Sequence, residues 1–313
     1  MSIYLGIDTS NYTTSCALYD SKSGSVKSLK KLLPVKSGEK GIRQSDAVFH
    51  HTKQLPALME ELFESGGKVD AVSWSAAPRN VGGSYMPCFL VGECAALSVA
   101  SAGGIKSFRT YHQTGHILAA LYSCKRLDLL KSNKSFVALH VSGGTTDMLL
   151  CTPSTENVLD IEQIGCTLDL KAGQAVDRVG VMLGLDFPCG AELEKLALQS
   201  SAEMSVKPVV KGLDCCLSGI ENKCGEMLKN GVCSPDIARY CLEYIGATIC
   251  TMCTNAIEKY GEMPFLFAGG VMSDVIIKDM IQSCVGGYFA APDLSCDNAV
   301  GVALFGALKE NAV

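Results

Sequence analysis

The sequence predicts a duplicated α/β fold with a cleft between its halves, and two observations carry that reading. Residues 5–8 and 136–141 are short apolar runs, each leading into a turn of small residues and then a second strand-like run, 14–19 and 148–151. The same order met twice in one chain indicates two copies of one α/β unit. The composition agrees. The 313 residues are 48% hydrophobic and 19% charged with 31 glycines. That suits one large or two packed domains, about twice the usual domain length, and excludes a disordered or collagen-like chain.

The elements follow in order. After the first strand pair, a 3.6-residue apolar pattern predicts a helix over 45–65 that closes at Gly66-Gly67. Residues 69–74 read as a strand, and a Gly- and Pro-bearing loop covers 76–87. An alanine-rich helix spans about 89–101, a short strand 105–108, and a helix about 111–122. Beyond the second strand pair, helices dominate 171–260, with loops at 186–190 and around Gly212. Residues 265–268 form a strand ending in Gly269-Gly270, and the last helix begins near Asp297.

Charge and composition narrow the function. Lysine and arginine total 27 against 32 acidic residues, a net charge of −5. A stand-alone nucleic-acid binder carries a basic field, so any nucleic-acid substrate needs a local patch or a partner protein to hold it. No apolar run approaches the roughly 20 residues of a membrane helix, and the N-terminus lacks a basic signal region. A cytoplasmic protein without membrane attachment is expected. The 16 cysteines then read as reduced thiols. Cys250 and Cys253 have zinc-knuckle spacing without a second pair, so small buried hydrophobes is the better reading, as it is for Cys215-Cys216. The P-loop, the Gly-x-Ser-x-Gly elbow and the His-Glu-x-x-His helix are all missing, which counts against P-loop ATPases, esterases and ordinary metalloproteases.

Two of the five histidines, His112 and His116, stand four apart on a helix. That face suits a shared metal ion, and it also suits two surface histidines. Asp297, opening the last helix, is either a third ligand or a helix cap. Glycine turns at Ser142-Gly143-Gly144-Thr145 and Ala268-Gly269-Gly270-Val271 both follow apolar strands, where backbone N–H groups can approach a phosphate. Asp177, on the helix after Gly173, can accept from a ribose, and the turn ending at Gly190 can touch ribose or base with its backbone.

Taken in order, these motifs resemble one family, the TsaD-type tRNA threonylcarbamoyladenosine transferases, formerly called glycoproteases or O-sialoglycoprotein endopeptidases. Leu5-Gly6-Ile7-Asp8-Thr9-Ser10 resembles the family's opening strand and turn, and His50 a histidine on its first long helix. The run from Tyr111 to His116 resembles its metal helix, and Val141 to Asp147 its phosphate turn. Gly173 to Arg178, Gly184 to Gly190, Leu213 to Gly219, Ala268 to Val271 and Cys296-Asp297-Asn298 complete the series. The resemblance implies the actin-like, sugar-kinase-like (ASKHA) duplicated α/β fold. It implies one divalent metal, iron or zinc, on His112, His116 and Asp297. It also implies an adenine nucleotide, threonylcarbamoyl-AMP, held by Ser142, Gly143, Gly144, Thr145, Asp177, Gly190, Gly269, Gly270 and Asp274. The implied reaction moves the threonylcarbamoyl group to the adenosine beside the tRNA anticodon. Implied partners are tRNA, a shorter metal-free paralogue of TsaB type and a small P-loop ATPase of TsaE type. No catalytic residue is singled out; Asp8 and Ser10 are the candidates. The expected lobes are 1–110 with about 290–313, and 111–289 carrying the metal helix and nucleotide turns.

The chain departs from the family pattern at several points. Asn11, Tyr12 and Thr13 stand where a cysteine and two acidic residues are usual. Thr114 replaces a glutamate, Thr145 a histidine, Gln174 a glutamate and Asp274 an asparagine. The loop over 78–92 is long and carries Arg79 in place of glycine. Two further readings follow: a divergent paralogue passing a carbamoyl-type group to another acceptor, and a non-catalytic nucleotide-binding scaffold. Retention of the three implied ligands favours an enzyme, and no water-activating glutamate accompanies the histidines to support a protease.

Overall fold

The computed structural model describes residues 2–10, 12–34, 42–64, 66–132, 134–202, 204–292, 294 and 298–313. It separates into two compact units, one of residues 1–130, 154–160 and 293–313, the other of 131–153 and 161–292.

In the first unit, β1 (Ile3–Asp8), β2 (Thr13–Asp20) and β3 (Val26–Leu32) form an antiparallel ribbon, and β4 (Ala71–Ser75) and β5 (Lys106–Thr110) add in parallel beyond β1. The sheet order is β3-β2-β1-β4-β5. Alternation along β1 sends successive side chains to opposite faces. Leu5 and Ile7 join Val72 and Trp74 under α1 (Gln44–Leu62) and α2 (Phe89–Gly103). Tyr4 joins Ala17, Tyr19 and Ala71 against α3 (His112–Ser123) and the final helix, α9 (Asn298–Lys309). Gly6 also faces α9: a Cβ there would lie 2.2 Å from the Ala299 carbonyl oxygen, so only glycine lets the helix lie so close to the strand.

The second unit repeats the plan. Its central strand β6 (Phe136–Val141) pairs antiparallel with β7 (Thr146–Ser154), and β8 (Val158–Cys166) lies beyond. On the other side β11 (Phe265–Ala268) and β12 (Tyr288–Phe289) run parallel, giving the order β12-β11-β6-β7-β8. The first strand of each repeat is thus the centre of its sheet, with a ribbon on one side and parallel strands on the other. Helices α4 (Ala172–Met182), α5 (Gly190–Ala197), α6 (Gly219–Lys229), α7 (Ser234–Tyr260) and α8 (Val275–Cys284) belong to this unit. Val176, Leu193, Ile220, Ile249 and Ile277 from these helices share one core with Val137, Leu139 and Phe267 of the sheet.

The duplicated α/β expectation holds, with corrections in detail. The edge strand β3 and the half-exposed β8 were not foreseen, because edge strands carry few buried side chains to give a period. Neither was α8. A hairpin, β9 (Val209–Lys211) and β10 (Asp214–Cys216), interrupts the stretch read as helical, turning at Gly212 with φ +63°. The boundary placed at 110/111 falls after residue 130. The helix of His112 and His116 was assigned to the second half. It belongs to the first, because Ala119 is buried with Ala299, Val300 and Ala303 of α9.

Candidate functional site

Each unit holds one polar site. In the first, β1 ends in Asp8, whose side chain is 0% exposed. One carboxylate oxygen accepts the Ser10 amide at 2.9 Å, closing a tight turn. The other accepts the Ser75 hydroxyl from the end of β4 and lies 2.9 Å from His112 Nδ1. Burial by itself raises the Asp8 carboxyl. The neighbouring His112, with hydrogen bonds from His112, Ser10 and Ser75, outweighs it and holds the group at about 2. Thr9 anchors the same turn, donating to the Cys88 carbonyl at 2.9 Å and accepting the Gly92 amide at 3.1 Å.

His112 opens α3 with its amide on the Ala77 carbonyl at 3.0 Å. His116 follows one turn later, its ring centroid 4.6 Å away at 71°. The edge of Phe89 covers His112 at 6.1 Å. Because Asp8 holds Nδ1, Nε2 is the His112 nitrogen left for a metal, the carboxylate–imidazole arrangement that fixes a ligand's tautomer. The donor chemistry present therefore fits a divalent metal of the nitrogen-preferring kind. Asp297, the third implied ligand, lies outside the described residues, as do Asn11, Ser295 and Cys296; among the described residues no group of three His, Cys, Asp or Glu is arranged to hold a metal. Thr114, in place of the family's glutamate, is buried.

His50 is half-exposed, with Phe49 edge-on at 5.4 Å. Its neighbour His51 is the buried one, unnoticed in the sequence. Gln54 donates to the Leu32 carbonyl, so its oxygen faces Thr14, and the Thr14 hydroxyl donates to it at 2.8 Å. His51 Nδ1, 2.8 Å from that hydroxyl oxygen, must then carry the proton. Burial holds His51 neutral down to about 4.

In the second unit the two glycine turns come together at the carboxyl ends of adjacent parallel strands, β6 and β11, where open α/β sheets take ligands. Ser142 Oγ organises its turn: it accepts the Gly144 and Thr145 amides and pairs with Thr145 Oγ1 at 2.9 Å. Gly143 and Gly144 stay exposed. α4 docks directly behind them, the Ala172 amide on Thr146 Oγ1 at 2.9 Å and the Gly173 amide on the Ser142 carbonyl at 3.2 Å. A Cβ on Gly173 would meet the Gly143 nitrogen at 2.6 Å. Gly269, at φ +99°, presses on the Val141 carbonyl, and Gly270 faces open space.

A cavity of about 390 Å³ opens here, lined among others by Gly143, Asp177, Gly190, Glu194, Gly270 and Asp274. Five of the expected residues line it. Ser142, Gly144, Thr145 and Gly269 instead shape the turns around it. Asp177 accepts the Cys189 amide at 2.9 Å, tying the 186–190 loop to α4. Asp274 is 8% exposed and accepts the Ile277 amide at 2.9 Å as the cap of α8. Burial first, then the nearby Glu194, push its carboxyl up to about 6. Sequence reasoning missed Glu194, which accepts the Val275 amide at 2.8 Å. Its place one helical turn after Gly190 was the available signal. Cys215 and Cys253 are buried, and burial raises both thiols, in keeping with small apolar side chains.

Paired sheets with this strand order and a glycine-turn cavity define the actin-like, sugar-kinase-like class. Solved structures agree in fold. The Acidaminococcus fermentans (R)-2-hydroxyglutaryl-CoA dehydratase component A is similar over 100% of this chain and 99% of its own (TM-score 0.55, 13% identity). HypF from T. kodakarensis is similar over 98% of this chain and 48% of its own (TM-score 0.61, 13% identity). A ROK family protein from Streptococcus pneumoniae, solved with sucrose, covers 99% of each chain (TM-score 0.52, 9% identity). The chain belongs to the TsaD family, the tRNA N6-adenosine threonylcarbamoyltransferases, whose family model matches residues 29–304. A transferase acting on tRNA is therefore the function class. No helix among the described residues is long and apolar enough to cross a membrane.

Proposed function

We propose that this chain transfers a threonylcarbamoyl group from threonylcarbamoyl-AMP to the exocyclic amine of the adenosine beside the tRNA anticodon, releasing AMP. The observation that carries it, within the family, is the buried Asp8 carboxylate on His112 Nδ1, an arrangement that fixes the ring and leaves Nε2 as the nitrogen for a ligand. The proposed metal, iron or zinc, is held by His112, His116 and Asp297, and would polarise the donor's oxygens as a Lewis acid. Asp8 acts as a positioning residue, since its oxygens are already taken, and Ser10 closes the turn that fixes it. Gly143, Gly144 and Gly270 offer backbone to the adenylate phosphate, with Asp177, Gly190 and Asp274 on the nucleoside side. Their contribution is to hold the carbonyl where the amine can attack it. A TsaB-type paralogue and a TsaE-type ATPase are the proposed partners, consistent with an acidic chain that must hold tRNA.

The test incubates the protein, with those partners, with threonylcarbamoyl-AMP and unmodified tRNA, and seeks the modified nucleoside by mass spectrometry beside a His112→Ala sample. Product in the native sample and none in the His112→Ala sample supports the reading. No product from folded, metal-loaded protein overturns it. A transfer to another acceptor is the second reading. Asp274 favours it, placing a carboxylate beside Glu194 where the family has a neutral amide.

A further inference from the structure

β1, β4 and β5 turn one face toward α9. Gly6 lies against the Ala299 carbonyl, and a Cβ on Gly306 would stand 2.4 Å from Ser73 Oγ and 3.6 Å from the Phe108 ring. Side chains return to the same face at every second strand residue, so Asp8, Ser75 and Thr110 follow on that face, one step nearer the carboxyl ends of their strands. They form a polar row. Ser75 pairs with Thr110 across β4 and β5, and its hydroxyl donates to the Asp8 oxygen that lies 2.9 Å from His112 Nδ1. Thr110 ends the row, two residues before His112. It is 1% exposed, and its Oγ1 has no hydrogen-bond partner. Asn298 opens α9 directly after Asp297, and a Cβ on Gly115, the residue before His116, would meet its backbone carbonyl oxygen at 2.9 Å. It is 7% exposed, and its side-chain Oδ1 is likewise unmatched. Unmatched buried atoms also occur on His51, Ser73 and Trp74, but among the described residues only Thr110 and Asn298 carry one within two positions of a proposed metal ligand.

We propose that Thr110 and Asn298 are positioning residues of the metal centre, hydrogen-bonding to the oxygen ligands that the metal takes from outside the protein. The inference rests on the metal proposed above at His112 and His116. A buried polar atom without a partner has given up water and gained nothing, so it costs stability until a partner arrives. A metal of the nitrogen-preferring kind, held by three protein ligands, keeps a further position for water or substrate, and hydrogen bonds around such a centre tune its affinity. The two side chains are complementary in kind: the Thr110 hydroxyl donates or accepts, while the Asn298 amide oxygen only accepts. Together they suit an oxygen that carries both a hydrogen and a lone pair. Neither residue is itself a ligand; each acts through the group that the metal holds.

Thr110→Val keeps the side-chain shape and removes the hydroxyl, Asn298→Leu removes the amide at similar size, and Thr110→Ser retains the hydroxyl. Zinc affinity of the full chain is measured by competition with a chelating dye, and the melting temperature of the metal-free protein by circular dichroism. Thr110→Val and Asn298→Leu should each bind zinc at least about tenfold more weakly. Their metal-free forms should nevertheless melt at or above the native temperature, because the unmatched atom is gone. Thr110→Ser should bind zinc as the native protein does. A lower metal-free melting temperature with unchanged zinc affinity is the signature of a purely structural role and overturns the proposal. If His112→Ala loses zinc while Thr110→Val and Asn298→Leu both keep the native affinity, this inference alone fails. If the native protein binds zinc no better than His112→Ala, the metal reading fails and takes this inference with it.

Discussion

Replacing Gly301 with alanine tests how closely α3 and α9 approach. A Cβ at Gly301 would stand 1.8 Å from the Gly115 carbonyl oxygen and 2.9 Å from the Ala119 amide nitrogen. An ordinary carbon–oxygen contact needs about 3.3 Å, so the two backbones must part by roughly 1.5 Å at this point. Neither obstacle is a side chain that can swing aside. Helix propensity works the other way, favouring alanine over glycine by about 1 kcal/mol. Overpacking of a tight core costs about 1–3 kcal/mol, and a backbone-on-backbone clash belongs at the top of that range or beyond. The net is a loss of about 2 kcal/mol, and for a chain of this size about 3 °C in melting temperature. Gly225→Ala, inside α6 with only the Met182 side chain near its Cβ at 3.8 Å, supplies the opposite case and should gain up to about 1 kcal/mol. Thermal unfolding followed by circular dichroism reads both. A Gly301→Ala protein that melts at or above the native temperature would refute the close approach. His116 directly follows Gly115, so the same variant should also weaken metal binding.

Asp8→Asn keeps the shape of the buried turn but removes the charge that fixes His112, and should lower affinity for zinc about 10–100-fold, measured by competition with a chelating dye; unchanged affinity counts against the positioning role. Gly173→Ala drives a methyl into the Gly143 amide and should weaken adenine-nucleotide binding by more than about tenfold in calorimetry, with the melting curve showing that the protein is folded. Asp274 has a folded value raised above its ordinary one, so its charge costs stability: nothing below pH 3.8, progressively more up to about 6, and the full amount above. A rise from 3.8 to about 6 corresponds to up to about 3 kcal/mol. Asn also caps helices well, so Asp274→Asn should match the native protein near pH 4 in urea unfolding and exceed it at pH 8. An advantage independent of pH would show that the carboxyl is not raised.

Much of this was legible in the chain itself. Residues 5–8 and 136–141 announced their strands by mainly apolar character, and the repeat of strand, small-residue turn and strand announced the duplication. The ordered motifs pointed to the family. The four-residue spacing of His112 and His116 placed them on one helix face, since the 3.6-residue period is a local property. Edge strands such as β3 were not legible, because half-exposed segments carry little hydrophobic period.

What required tertiary structure is everything set by residues far apart in sequence. Asp8 meets His112 and Ser75 only because β1, β4 and the start of α3 are neighbours in one unit, and no spacing rule joins positions so distant. The same holds for α3 itself: proximity in sequence drew it toward the second half, while burial of Ala119 against α9 seats it in the first. In the second unit, Glu194 becomes a partner of Asp274 because α5 and α8 converge on one cavity. Sequence fixes periods and local turns through short-range sterics and hydrogen bonds. Which side chains share a dry pocket, and so whose charge is shifted, is decided by packing.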